Sequence, residues 1–109
     1  MQLSPPNGWT IDPEELDYEE EWAADDSIGQ KITANYHLGK GRPVMYRPNG
    51  CLLMFEAGGK FYWWNRIDWC VYEIVSSTDL DEIITIMKEK GGNAVRSKEC
   101  TGGGANRVK

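Results

Sequence analysis

Tyr62 and Trp64 sit two residues apart, and Lys60 and Arg66 continue the same alternation on either side. In an extended strand, residues of one parity share a face, so this set interleaves two aromatic rings with two cations. Such a platform stacks on bases or aromatic groups and draws in anions. The other parity, Phe61, Trp63 and Asn65, carries no charge. The cation-bearing set is therefore assigned outward, and the adjacent Trp63 and Trp64 must point to opposite faces. A second source of binding chemistry is the segment Leu16-Asp17-Tyr18-Glu19-Glu20-Glu21-Trp22. It mixes bulky apolar side chains with carboxylates, a composition that folds into a partner's basic-rimmed groove or docks on the chain's own body, with Trp22 and Leu16 over Tyr62 and Trp64. Both arrangements stay open at this stage. The binding set is Lys60, Tyr62, Trp64 and Arg66 on the sheet, with Tyr18 and Trp22 on the arm.

Catalytic material is thin. His37 is the chain's one histidine, and a Cys–His nucleophile would need it beside Cys51 or Cys70. No catalytic residue is assigned. Gly39-Lys40-Gly41-Arg42 could cradle an anion through backbone N–H groups and two cations, but it lacks the Walker spacing and a following helix. The three cysteines are isolated, and the acids show no calcium-loop spacing. No metal or cofactor is expected.

Charge is spread unevenly. Residues 1–30 hold nine of the 17 acids and no lysine or arginine, so this arm carries −9 and residues 31–109 carry +4. That asymmetry marks an interaction arm or a self-docking one. The odd cysteine count, the absence of a basic-then-apolar leader and the lack of a long apolar run predict an intracellular, cytoplasmic protein without a membrane span.

The elements that must position these residues can be read from their punctuation. Asp12-Pro13-Glu14-Glu15 is a helix start, with Asp as N-cap, Pro at the first position and Glu completing a capping box. It opens a marginal acidic helix over 13–24 that orders only when docked. Ile32, Ala34, Tyr36 and Leu38 alternate and predict a half-buried strand. Val44–Arg47 is a short strand, Pro48-Asn49-Gly50 a turn, Cys51–Phe55 a central strand apolar on both faces, and Gly58-Gly59 a hairpin turn. Lys60–Val75 is too long for one strand and divides at Asn65–Asp68. Leu80, Ile83, Ile84 and Met87 form one helical stripe. Thr78 with Asp81, or Asp79 with Glu82, caps its start, and Gly91-Gly92 ends it. Upstream, Trp9 and Ile11 are placed to pin the N-terminal segment to the body. Pro5-Pro6-Asn7-Gly8-Trp9 resembles the opening of a WW domain over those residues alone. The second tryptophan and its trailing proline are missing at the required spacing, so that family is set aside.

The expected fold is α+β: an antiparallel meander of four or five strands with one C-terminal amphipathic helix packed on one face. Residues 1–30 form the acidic arm, 31–92 the globular domain and 93–109 a flexible tail. The expected function is a non-enzymatic binding or regulatory module that engages a protein or peptide partner through the aromatic, basic sheet face and the acidic arm. The alternatives are a small enzyme using His37 with a nearby thiol or carboxylate, and a single-stranded nucleic-acid binder.

Overall fold

The computed structural model describes residues 5–12, 14, 16, 21–24, 26–49, 51–67, 69–91 and 94–100. Among them, two helices and five strands follow in the order α1 (Ile28–Asn35), β1 (Gly41–Arg47), β2 (Leu52–Ala57), β3 (Lys60–Asn65), β4 (Cys70–Ile74), α2 (Leu80–Lys90) and β5 (Ser97–Glu99). The strands pair in sequence order, every neighbour antiparallel. This is the predicted α+β meander, at its upper strand count.

The two turn assignments that divide the sheet hold. Gly58 and Gly59 adopt positive φ between β2 and β3, and Asn65–Cys70 turns β3 into β4. There Asn65 bonds the Trp69 N–H through its carbonyl at 2.8 Å and the Ile67 N–H through its side chain at 2.9 Å. Of the two N-caps left open for helix α2, Thr78 and Asp79, the structure uses Asp79, with the Glu82 carboxylate accepting the Ser77 hydroxyl instead of completing a capping box. Asp79 is the N-cap, its carboxylate accepting the Asp81 N–H at 3.0 Å, and Gly91 closes the helix with its N–H on the Met87 carbonyl. Its stripe of Ile83, Ile84 and Met87 is buried with Met45, Met54, Phe61, Trp63 and Ile74 of the sheet.

Three expectations are corrected. First, the stretch read as a strand over Ile32–Leu38 is instead the end of α1, to Asn35, and the turn that follows it. The alternation was fortuitous: Gly29, Gln30, Ile32 and Thr33 are the buried residues, a helical spacing. Gly29 is required because a Cβ there would collide with the Trp22 ring. The helix ends in a Schellman motif, with His37 N–H on Ala34 O at 3.1 Å and Leu38 N–H on Thr33 O at 2.9 Å. His37 holds the left-handed position at φ 59°, where glycine is usual. Second, α2 is not C-terminal. Ser97–Glu99, expected in a flexible tail, forms β5 on the edge of β4; residues 101–109 lie outside the described residues. Third, the cation-bearing face assigned outward is covered, in the docked one of the two arrangements open for the arm. Leu16, Trp22 and Ile32 pack on Leu53, Phe55, Ala57, Tyr62, Trp64 and Val71.

The expected acidic helix over 13–24 falls largely outside the described residues. Its start is visible: the Asp12 carboxylate accepts the Glu14 N–H at 3.0 Å, and the Leu16 N–H reaches the Asp12 carbonyl at 3.0 Å. It does not extend to Ala24, because Trp22–Ala24 is turn and bend. Gln30 ties this region to the sheet. Its buried amide donates to the Trp22 and Gly41 carbonyls, both at 2.8 Å, and accepts the Gly41 N–H at 3.0 Å. At the other end of β1, Thr10 exchanges two backbone hydrogen bonds with Tyr46, at 2.8 and 2.9 Å. Between them the β1–β2 register shifts at Pro43/Met45. Among the described residues, no helix is long and apolar enough to cross a membrane.

Candidate functional site

The register β2–β3–β4 puts Leu53, Trp64 and Val71 in one row and Phe55, Tyr62 and Glu73 in another. These residues form the face assigned outward, and the structure covers it. Trp64 is 0% and Tyr62 4% exposed. Trp22, itself 1% exposed, lies 5.5 Å from Phe55 and 6.0 Å from Trp64, edge-on to the latter. Phe55 and Tyr62 stack at 5.2 Å. The indole N–H groups of Trp22 and Trp64 are buried with no hydrogen-bond acceptor among the described residues, so these two rings are held by apolar packing rather than through their polar atoms. Trp63, by contrast, faces α2 as its parity requires.

The cations of that face are engaged within the fold. Arg66 meets Glu21 at 2.6 Å, and its guanidinium lies over the Trp64 ring at 5.2 Å and the Tyr46 ring at 5.6 Å. Lys60 approaches Glu73 at 3.5 Å across β3 and β4. Burial, with the Glu73 carboxylate and Cys100 adding to it, raises the pKa of the Tyr62 phenol. Burial is also the main cause of the raised Cys100 thiol pKa, again reinforced by Glu73. Tyr18 lies outside the described residues. Of the predicted set, the structure thus brings together Tyr62, Trp64, Arg66 and Trp22, but as the interior of the molecule. The covered arrangement considered for the arm is the one found, and the stacking platform invoked for nucleic acid is not open.

The Cys–His pairing considered for His37 is not formed with Cys51 or Cys70. His37 is exposed just past α1, and the Leu38 carbonyl nearby faces Gly58 at the β2–β3 turn. Cys51 precedes β2 at the other end of that strand, and Cys70 is level with Asn65 and Leu52 at the same far end. Six strand residues span roughly 20 Å, so His37 meets neither thiol. The Gly39–Arg42 loop is committed as well: the Gly41 N–H goes to Gln30, and Arg42 pairs with Glu56 at 2.5 Å. No group of three His, Cys, Asp or Glu side chains among the described residues could hold a metal ion.

What remains open is on the α2 side. A groove of about 810 Å³ runs between the Pro5–Trp9 segment, the β1–β2 hairpin and the end of α2. Trp63 is its nearly buried floor, with Trp9 against it at 5.5 Å. Leu52, Met87 and Val95 add apolar wall, while Arg47 and Lys88 supply charge. Arg47 sits over the Trp9 ring at 6.0 Å, and its Nε donates to the Asn49 carbonyl at 2.8 Å. Neither Arg47 nor Lys88 has a carboxylate partner among the described residues, and no lining residue is acidic. The volume lies within the range of ligand sites, about 300–1,000 Å³.

Sequence reasoning placed Trp9 as a pin and Trp63 toward the core, but it did not find this groove. Its parts come from five separate stretches of the chain, so no local spacing announces it. The single available signal was that Arg47 lies in a stretch, residues 27–55, that contains no acid. No family model matches the chain, and no curated protein or solved structure matches it either.

Proposed function

We propose that the protein is a non-enzymatic binding module that takes a protein or peptide segment in the groove of Trp9, Trp63, Arg47 and Lys88. The observation that carries this reading is the pairing of an open, tryptophan-floored groove with two cations that lack a carboxylate partner among the described residues. Aromatic residues and arginine dominate binding energy where they are gathered in a concave patch. The buried aromatic side chains of the sheet and the cations Arg42, Lys60 and Arg66 are spent on the fold itself, whereas this groove gathers two tryptophans and two cations in one concave patch. The reading keeps the class of partner expected from the sequence and moves its site to the opposite sheet face.

The test is a random-peptide display selection on the full chain, with a Trp9→Ala/Arg47→Glu variant as counter-target. Trp9 is only partly buried and Arg47 exposed, so the variant should keep its far-ultraviolet spectrum. Peptides enriched on the wild type should lose about 2 kcal/mol or more of binding to the variant, the scale of a hot-spot residue. Enriched peptides that bind both proteins equally would remove the groove from consideration.

A further inference from the structure

The chain already contains one example of a segment docked on an arginine-capped aromatic surface. Glu21 places its carboxylate on Arg66 at 2.6 Å. The guanidinium lies over Trp64 and Tyr46, 5.2 and 5.6 Å from their ring centroids, and the next residue, Trp22, packs against Phe55 and Trp64. A carboxylate and an adjacent aromatic ring thus form one recognition unit. The acid meets an arginine whose other side is covered by π-surface, and the ring is buried beside it.

The groove carries the receptor half of that unit a second time. Arg47 pairs with Leu52, and Leu52 pairs with Asn65, the residue before Arg66. The two arginines therefore leave the same end of the sheet, and the alternation sends them to opposite faces. Arg47 covers Trp9 as Arg66 covers Trp64, and Trp63 with Leu52 and Met87 supplies apolar surface. What the groove lacks is the acid. Arg66 has Glu21, whereas Arg47 and Lys88 have no carboxylate among the described residues.

We infer that the groove's ligand is an acidic segment bearing an aromatic side chain next to a carboxylate, held on Arg47 and the Trp9–Trp63 pair as Glu21 and Trp22 are held on the other face. This rests on the groove being a peptide site, as proposed above. Charge complementarity selects the class. A basic segment would meet two cations and no acid, and a neutral one would leave both cations unanswered. The end of α2 brings partial negative charge to the helix wall, so the carboxylate belongs at the Arg47 wall and the ring deeper, against Trp63.

The experiment is an NMR titration of the ¹⁵N-labelled full chain. Three synthetic peptides serve as probes: one with the sequence of residues 14–24, one with every acid of that sequence replaced by its amide, and one with every acid replaced by lysine. The acidic probe should shift the Trp9 and Trp63 indole signals and the Lys88 and Gly91 amides in a saturable way. Its affinity should fall with added salt. The amide probe should bind about tenfold more weakly, and Arg47→Glu should cost about tenfold, with Lys88→Glu costing less. If the lysine probe moves the groove signals as well as the acidic one does, the acidic class is wrong while the groove stands. If no probe moves them at millimolar concentration, groove and class both fall. Two further outcomes overturn the inference: shifts confined to Trp22 and Trp64, which mean exchange with the chain's own arm, and groove shifts that follow protein concentration alone, which mean a second copy.

Discussion

The two faces of the sheet are built from the same kinds of residue and end in different states. On one, Trp64, Tyr62 and Phe55 lie under Trp22 and Leu16, and the arginine at the rim is neutralised by Glu21. On the other, Trp63 lies under Trp9, and the arginine at the rim has no carboxylate among the described residues. The difference comes from what the chain brings to each side. Residues 12–35 contribute a tryptophan, a glutamate and a helix to the first face, whereas the short Pro5–Ile11 segment contributes one indole and leaves a groove beside it. Tryptophan-rich composition thus says nothing by itself about where binding occurs. The same ring is structural or available according to whether a neighbouring segment closes over it and supplies the missing charge.

The comparison breaks most readily at its two tryptophan lids. Trp22→Ala removes a fully buried ring and should cost about 3–5 kcal/mol, enough to abolish cooperative unfolding in a domain this small. Trp9→Ala removes a half-covered ring and should cost about 1 kcal/mol. Urea denaturation of both variants reads this directly, and equal losses would erase the distinction between a closed and an open face.

A smaller effect is expected at Gln30, which belongs to the closed face alone. Gln30→Leu strands the Trp22 carbonyl and both Gly41 backbone groups and should cost about 2–4 kcal/mol. Hydrogen exchange at the Gly41 amide should accelerate while the Trp63 indole signal stays in place. A protected Gly41 amide in the variant would show that the glutamine clamp is dispensable.

The smallest effect is a pH dependence confined to the same face. Burial raises the pKa of both Tyr62 and Cys100, with Glu73 adding to each, so the folded state retains protons that the unfolded chain releases. The stability tied to these groups is complete below their unfolded values. It declines as pH rises through roughly 8.5–10 and beyond, towards the raised folded values. Thermal melts should fall across that window, and Cys100→Ser should flatten the decline. An unchanged slope in the serine variant would assign the loss to other groups.

Much of this fold was legible because its signals are local. Gly58-Gly59, the break at Asn65–Asp68, the opposed parities of Trp63 and Trp64, and the Asp79 cap each depend on a few adjacent residues. Helix α1 was not legible. Its second half, Ile32–Asn35, together with Tyr36–Leu38 just past its end, alternates well enough to imitate a strand, and the need for Gly29 appears only once Trp22 is packed against it. Strand β5 has no apolar residue at all and exists because β4 offers it a backbone edge. The Lys60–Arg66 face was assigned outward because its charges lie at the two ends of the row. Those charges are answered by Glu73 and Glu21, which come from elsewhere in the chain. The groove is the extreme case, since Trp9, Arg47, Trp63 and Lys88 have no sequence relation to one another.

Strand β1 shows how the fold handles a hazard that any open sheet carries. A strand from a foreign molecule could add to this margin only along a row of free donors and acceptors. The Gln30 amide occupies Gly41, the Thr10 backbone occupies Tyr46, Pro43 has no N–H to offer, and the shifted register beside it spoils the repeat. Templated growth is therefore blocked on that side of the molecule. Among the described residues the other margin is Ser97–Glu99, three residues long with two charges among them, and mutations that lengthen or neutralise that strip are the ones to expect in an aggregating variant.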